Sequence, residues 1–236
     1  MLQRGDLLAL HEPLEGVISF GYTEIQGRTF HSPTSLLSWL VDETHGVNVF
    51  LKETTDRRVF DIILSDQRFL AEARHAFLIR HPSAIAASLH AVIGKVKEQD
   101  PLYPDMDLES IGLGRLHRLH SAVSDAGGHS PVVIDSDDLV ARPEATMAAY
   151  CAAVELRFVA EALTWEPSER PEWRRTARWH AEVSQSSRFE RRDQQYAENV
   201  ETSDELALFA AHQLPFYEQL YAQRLDVAAK EQTAGC

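Results

Sequence analysis

Apolar runs at residues 7–10, 76–79 and 132–134, and the stretch 47–51 with Asn48 its one polar residue, stop at His11, Arg80, Asp135 and Lys52, and the apolar positions between them recur at helical spacing. Runs this short read as strands of a buried sheet. Ser32 and Pro33 supply a cap and a first helical residue for a helix with Leu36, Leu37, Leu40 and Val41 inward. Residues 61–74 predict a returning helix with Ile62, Ile63 and Phe69 inward. Pro82 opens another, with Ile85, Leu89, Val92 and Ile93 on one face. Leu113, Leu116, Leu119 and Val123 mark a helix ended by Gly127 and Gly128, and Met147, Tyr150, Cys151 and Val154 mark one begun by Pro143. Residues 203–225 predict a terminal helix bent near Pro215, and 227–236 a disordered tail. Residues 15–32, with Gly16, Gly21 and Gly27, are expected to be irregular. Strands alternating with helices predict an α/β fold with a mainly parallel sheet.

Composition narrows this little further. At 236 residues the chain suits one sizeable domain, expected over 1–226. The balance of 23 basic and 36 acidic residues leaves −13, with the cations scattered, so neither nucleic acid nor an anionic membrane is expected as partner. Two cysteines, Cys151 in an apolar helical pattern and Cys236 at the end, encode no disulfide framework or thiolate metal site. A cytoplasmic location is expected, since no run approaches a membrane span and the N-terminus lacks a leader pattern.

The candidate chemistry gathers at strand ends. Arg80 closes a strand just before a helix N-terminus, and Ser88 lies eight residues on (88 − 80), about two turns into the helix. A guanidinium, a hydroxyl and free helical N–H groups could grip one phosphate; equally, the arginine could pair with a surface carboxylate. His11 and Glu12 follow the first strand, as a catalytic pair or a structural one. Lys52 and Glu53 follow the second, as a site or a solvated ion pair. His117 and His120 lack a third ligand at metal spacing and read as a solvated face, so no metal is expected. Asp135, Asp137 and Asp138 could hold a divalent ion or fix a turn. Trp165, Trp173 and Trp179 interleave with Arg170, Arg174, Arg175, Arg178 and Arg188, as a mixture able to cap a ring and reach phosphates or as an arginine-rich solvated segment.

The strand, Ile79-Arg80-His81-Pro82 and a helix with Ser88 resemble the 3′-phosphate segment of the P-loop sulfotransferases, which use 3′-phosphoadenosine 5′-phosphosulfate (PAPS). His11-Glu12-Pro13-Leu14, Val49-Phe50-Leu51-Lys52, the stretch from Val132 to Glu144, and Leu163-Thr164-Trp165-Glu166-Pro167 are similar, in order, to a bacterial branch of that family, over most of residues 6–190. The resemblance implies a three-layer P-loop NTPase-like fold and transfer of a sulfuryl group from PAPS to a hydroxyl or amine of a small molecule. It implies Arg80 and Ser88 at the 3′-phosphate, with Arg174 and Arg175 further cofactor contacts. Glu12 is the implied general base, ahead of His11 or Glu53, and Lys52 the cation near the sulfuryl group. Thr54 departs from the pattern, standing where many cytosolic members carry a catalytic histidine. The Gly/Ser-rich loop for the 5′-phosphosulfate and its strand are missing, and Gly94-Lys95 has Leu89 in place of a leading glycine. The resemblance therefore implies a chain inactive as it stands. The alternatives are a non-catalytic nucleotide-binding or partner protein and a PAPS-independent enzyme, both on the same fold.

Overall fold

The computed structural model describes all residues except 45, 55, 100–111, 171–172, 174–179, 181–182, 192–195 and 228–236, and only the backbone of 94–99. It is α/β, with short parallel sheets, and divides into two compact units: Met1–Glu53, Asp138–Arg191 and Asp226–Cys236 in one, Thr54–Asp137 and Arg192–Leu225 in the other.

In the first unit, β1 (Leu8–His11) pairs in parallel with β4 (Val49–Lys52), Leu8 opposite Val49 and His11 opposite Lys52. Between them run α1 (Pro13–Phe20), β2 (Thr23–Ile25), β3 (Arg28–Phe30) and α2 (Pro33–Asp42). The irregular segment expected at 15–32 is thus a helix and a hairpin. Pro13 starts α1 with Leu14 and Val17 in the core, and Gly21, at φ 80°, ends it by donating its N–H to the Val17 carbonyl. Gln26 and Gly27 both have positive φ, as a two-residue turn matching the twist of β2 and β3 requires. The cap expected at Ser32 is present: its hydroxyl accepts the Ser35 N–H at 3.5 Å, and Leu36, Leu37 and Trp39 are buried. The later helices are α7 (Ser136–Ala141) and α8 (Pro143–Ala153); α8 buries Ala149, Tyr150 and Cys151, and Val227, placed in a tail by the sequence, is buried too.

In the second unit, Asp66 divides the single expected helix in two, α3 (Arg57–Ser65) and α4 (Gln67–Glu72), by accepting the Phe69 N–H. β5 (Ala76–Ile79) pairs in parallel with β6 (Val132–Asp135), and β5 leads into α5 (Pro82–Gln99). Burial of β5 is one-sided, not two-sided as expected: Phe77 and Ile79 are buried, whereas Leu78 is 59% exposed. The outer edge of β6 is engaged, because Leu225 donates its N–H to the Val133 carbonyl. The core is closed by α6 (Leu113–Ala126) and α9 (Asp204–Tyr221), with α9 packed on α5 and α6 and its Leu206 and Leu220 fully buried. His120, read from the sequence as solvated, is buried edge-on to Phe77, and burial lowers its pKa.

Asp135 takes the structural role. One carboxylate oxygen accepts the Asp137 N–H, fixing the strand-to-helix turn, and the other accepts the Tyr217 hydroxyl at 3.0 Å from α9. Burial and that bond raise the Tyr217 pKa. Tyr217→Phe leaves a buried carboxylate short of a donor and is expected to cost about 1.5–3 kcal/mol, read as a lower urea midpoint at unchanged slope. An unchanged midpoint would show that the bond adds nothing.

Candidate functional site

The first unit brings His11, Glu12, Lys52 and Glu53 to one end of the β1–β4 pair. Parallel register puts His11 opposite Lys52, and the Glu12 N–H extends the ladder by bonding the Lys52 carbonyl at 2.7 Å. Glu12 then turns the chain into α1 at φ 49°, ψ 47°, a left-handed conformation uncommon for a residue with a Cβ. Holding it costs on the order of 1–3 kcal/mol, so the surroundings must impose it. The turn sets the Glu12 carboxylate against the Lys52 ammonium and 3.6 Å from His11 Nε2. The side chains of His11 and Glu12 are mostly buried, and that of Lys52 is 44% exposed.

Glu53 is the second carboxylate here. Its Oε1 accepts the Leu14 N–H at 2.6 Å, which fills one of the free donors at the start of α1. Its Oε2 is buried with no hydrogen-bond partner among the described residues. Burial pushes its pKa up to about 8, the Leu14 bond opposes the rise, and the charges of Glu12 and Glu15 add to it. At neutral pH Glu53 is therefore mainly a neutral acid beside the Glu12–Lys52 pair.

A ring cluster lies against this end. Trp173 and His180 stack with centroids 4.9 Å apart and planes 9° from parallel, and His11 meets His180 edge-on at 4.8 Å. The Trp173 indole N–H is buried without a partner among the described residues. Sequence reasoning found Trp173 as an aromatic able to cap a ring, and here His180 is its stacking partner. It missed His180, which no spacing connects to His11.

Arg80 and Ser88 lie in the other unit. Arg80 is exposed at the end of β5, and Ser88 is half-buried in α5. No hydrogen bond joins them among the described residues, and His81 Nδ1 accepts the Ser83 N–H at the start of α5. Arg174, Arg175, Arg178 and Trp179 lie outside the described residues. Among the described residues no group of three or more His, Cys, Asp or Glu could hold a metal ion, and no helix is long and apolar enough to cross a membrane.

The chain is 29% identical over 138 residues to branched-chain-amino-acid aminotransferase-like protein 2 of Arabidopsis thaliana, covering 58% of this chain and 22% of that protein. It is 29% identical over 143 residues to the corresponding protein 1 of the same organism, covering 59% and 23%. The matched stretch thus spans less than a quarter of each relative's length. No protein-family model and no solved structure matches. These relatives overturn the sulfotransferase expectation, because their names belong to a different family. Sulfuryl transfer, PAPS as co-substrate and the nucleotide roles given to Arg80, Ser88, Arg174 and Arg175 fall with it, as do both alternatives framed on that family.

Proposed function

We propose that the His11–Glu12–Lys52–Glu53 cluster is a general acid–base site acting on a small polar molecule that carries a hydroxyl or an amine. Glu12 takes a proton from the substrate, Lys52 offsets the negative charge that then develops, and His11 holds the Glu12 carboxylate. Glu53, neutral at pH 7, has a proton to donate. The observation that carries this reading is the left-handed backbone of Glu12, a strained residue whose side chain is thereby set between a lysine and a histidine beside a neutral acid.

An amino-transfer reading, carried over from the relatives' names, asks for pyridoxal phosphate on a lysine. The described residues do not fit that group. Lys52, the lysine whose side chain is described, is engaged with Glu12, and the start of α1 is taken by the chain's own carboxyl groups, with Glu53 accepting the Leu14 N–H and Glu12 and Glu15 beside it, and is not open to a phosphate. We infer that the matched stretch is a module of its own within longer proteins. For the fold we propose the finer form expected from the sequence, a three-layer P-loop NTPase-like architecture, supported by parallel pairs whose strands lead into helices.

The test is saturation-transfer NMR on the whole chain with phenol, ethanolamine and 1,2-propanediol. At least one is expected to bind saturably, with affinity falling at least tenfold in Glu12→Gln and in Lys52→Ala. Saturable binding by none of the three, or equal affinity in the variants, would remove the site.

A further inference from the structure

The second unit carries two histidines that the chemistry above does not use and that the fold leaves without a counter-charge. His120, on α6, is 4% exposed and meets Phe77 of β5 edge-on, with ring centroids 5.3 Å apart. His75 lies between α4 and β5. Its Nε2 donates to the Phe69 carbonyl at 3.2 Å, and its ring stands edge-on to that of Phe69 at 5.4 Å. The packing near these rings is close, since Gly128, just beyond α6, leaves no room for a Cβ against the Ala71 backbone of α4.

Both places oppose a positive charge. Burial lowers the pKa of each ring. At His75 the backbone of Phe69 and Leu70 works against that fall and His129, near the entry to β6, adds to it. At His120 the fall is deepened by His117, one turn earlier on α6. Among the described residues, no carboxylate on α3, α4, β5, β6 or α9 acts on either ring. Histidines of this kind contribute their full stability above the ordinary pKa of 6.5, and that contribution is lost as the pH falls below it. The first unit holds the opposite kind of group in Glu53, whose raised pKa makes mild acid favourable to its folded form.

We propose that the second unit is a proton-sensitive element, in which charging of His75 and His120 in mild acid loosens α4 and α6 from β5 while the first unit stays closed. A ring that remains neutral in the folded form down to pH 5.5 lowers the folding equilibrium constant there about tenfold, and two such rings multiply. The device is independent of the acid–base site, which lies in the other unit.

Hydrogen exchange on the whole chain, read by mass spectrometry at pH 7.5 and 5.5 and corrected for the intrinsic exchange rate, tests this. Protection of the α4, β5 and α6 amides is expected to fall at least tenfold between the two, and that of the β1 and β4 amides less than threefold. In His75→Gln with His120→Leu, the fall in α4, β5 and α6 should shrink below threefold, because glutamine can still donate to the Phe69 carbonyl and leucine still covers Phe77. Should that variant fail to fold, NMR titration of the wild-type rings decides, with both expected to stay neutral to below pH 6.5. Protection unchanged in the wild type, an equal fall in both units, a fall undiminished in the folded variant, or rings that titrate at or above pH 6.5 would overturn the proposal.

Discussion

Glu53→Gln is expected to stabilise the protein, by about 3 kcal/mol at pH 7 and more at pH 9. In the folded chain the Glu53 pKa stands at about 8 against an ordinary value of 4.5. A carboxyl with a raised folded pKa gives its full stabilising contribution below pH 4.5, and loses it as pH climbs from 4.5 through 8. At about 1.4 kcal/mol per pH unit, the 2.5 units between 4.5 and 7 amount to roughly 3 kcal/mol. Glutamine keeps an oxygen for the Leu14 N–H and has no charge to bury. Urea titrations of wild type and variant should therefore agree near pH 4, diverge up to pH 8 and run parallel above it. Parallel curves over the whole range would show that Glu53 ionises normally. The same substitution removes the neutral acid, so a more stable variant with a weaker site is expected, a trade common where a buried titratable group serves chemistry.

Gly128→Ala is expected to unfold the second unit or destabilise it by more than 4 kcal/mol. A Cβ at Gly128 would lie 1.7 Å from the Ala71 carbonyl oxygen and 2.6 Å from its carbon. Those are backbone atoms of α4, and no rotamer change can clear them. Gly128 sits between α6 and β6, so relief would shift the entry to a strand whose four residues are all buried. Loss of the cooperative urea transition, or a large fall in its midpoint, checks this. Gly127→Ala is a milder comparison, since nothing lies within 4 Å and only the positive φ opposes it. A Gly128→Ala variant as stable as wild type would mean that α4 and the β6 entry are not packed this closely.

Much of the framework was legible because apolar runs bounded by charged residues leave few choices. Residues 76–79 form the expected strand, and Ser32-Pro33 begins the expected helix. The one-sided burial of β5 was not legible, because a run of four apolar residues looks the same whether one face or both are covered. α1 was missed because Gly16 and Gly21 read as loop punctuation, whereas Gly21 is the helix's own terminator. The hairpin was missed because Gln26-Gly27 is a weaker turn signal than Asn-Gly.

The strand-end residues Glu12, His11 and Lys52 were found from the sequence, and the structure brings the three together. What they serve was misread. An arginine eight residues before a serine at a strand-to-helix switch places charge in an α/β fold without naming a ligand. The environment of Glu53 depends on Leu14, thirty-nine residues away, and its raised pKa on a burial that no local pattern encodes.

The most direct measurement is an NMR titration of the side-chain carboxyl carbons of Glu53 and Glu12 in the whole chain. Glu53 is expected to be neutral at pH 7 and to ionise near pH 8, with its midpoint moving down in Glu12→Gln because a neighbouring negative charge has been removed. A Glu53 midpoint near 4.5 that ignores the Glu12 substitution would contradict the paired acid and base on which the proposed site rests.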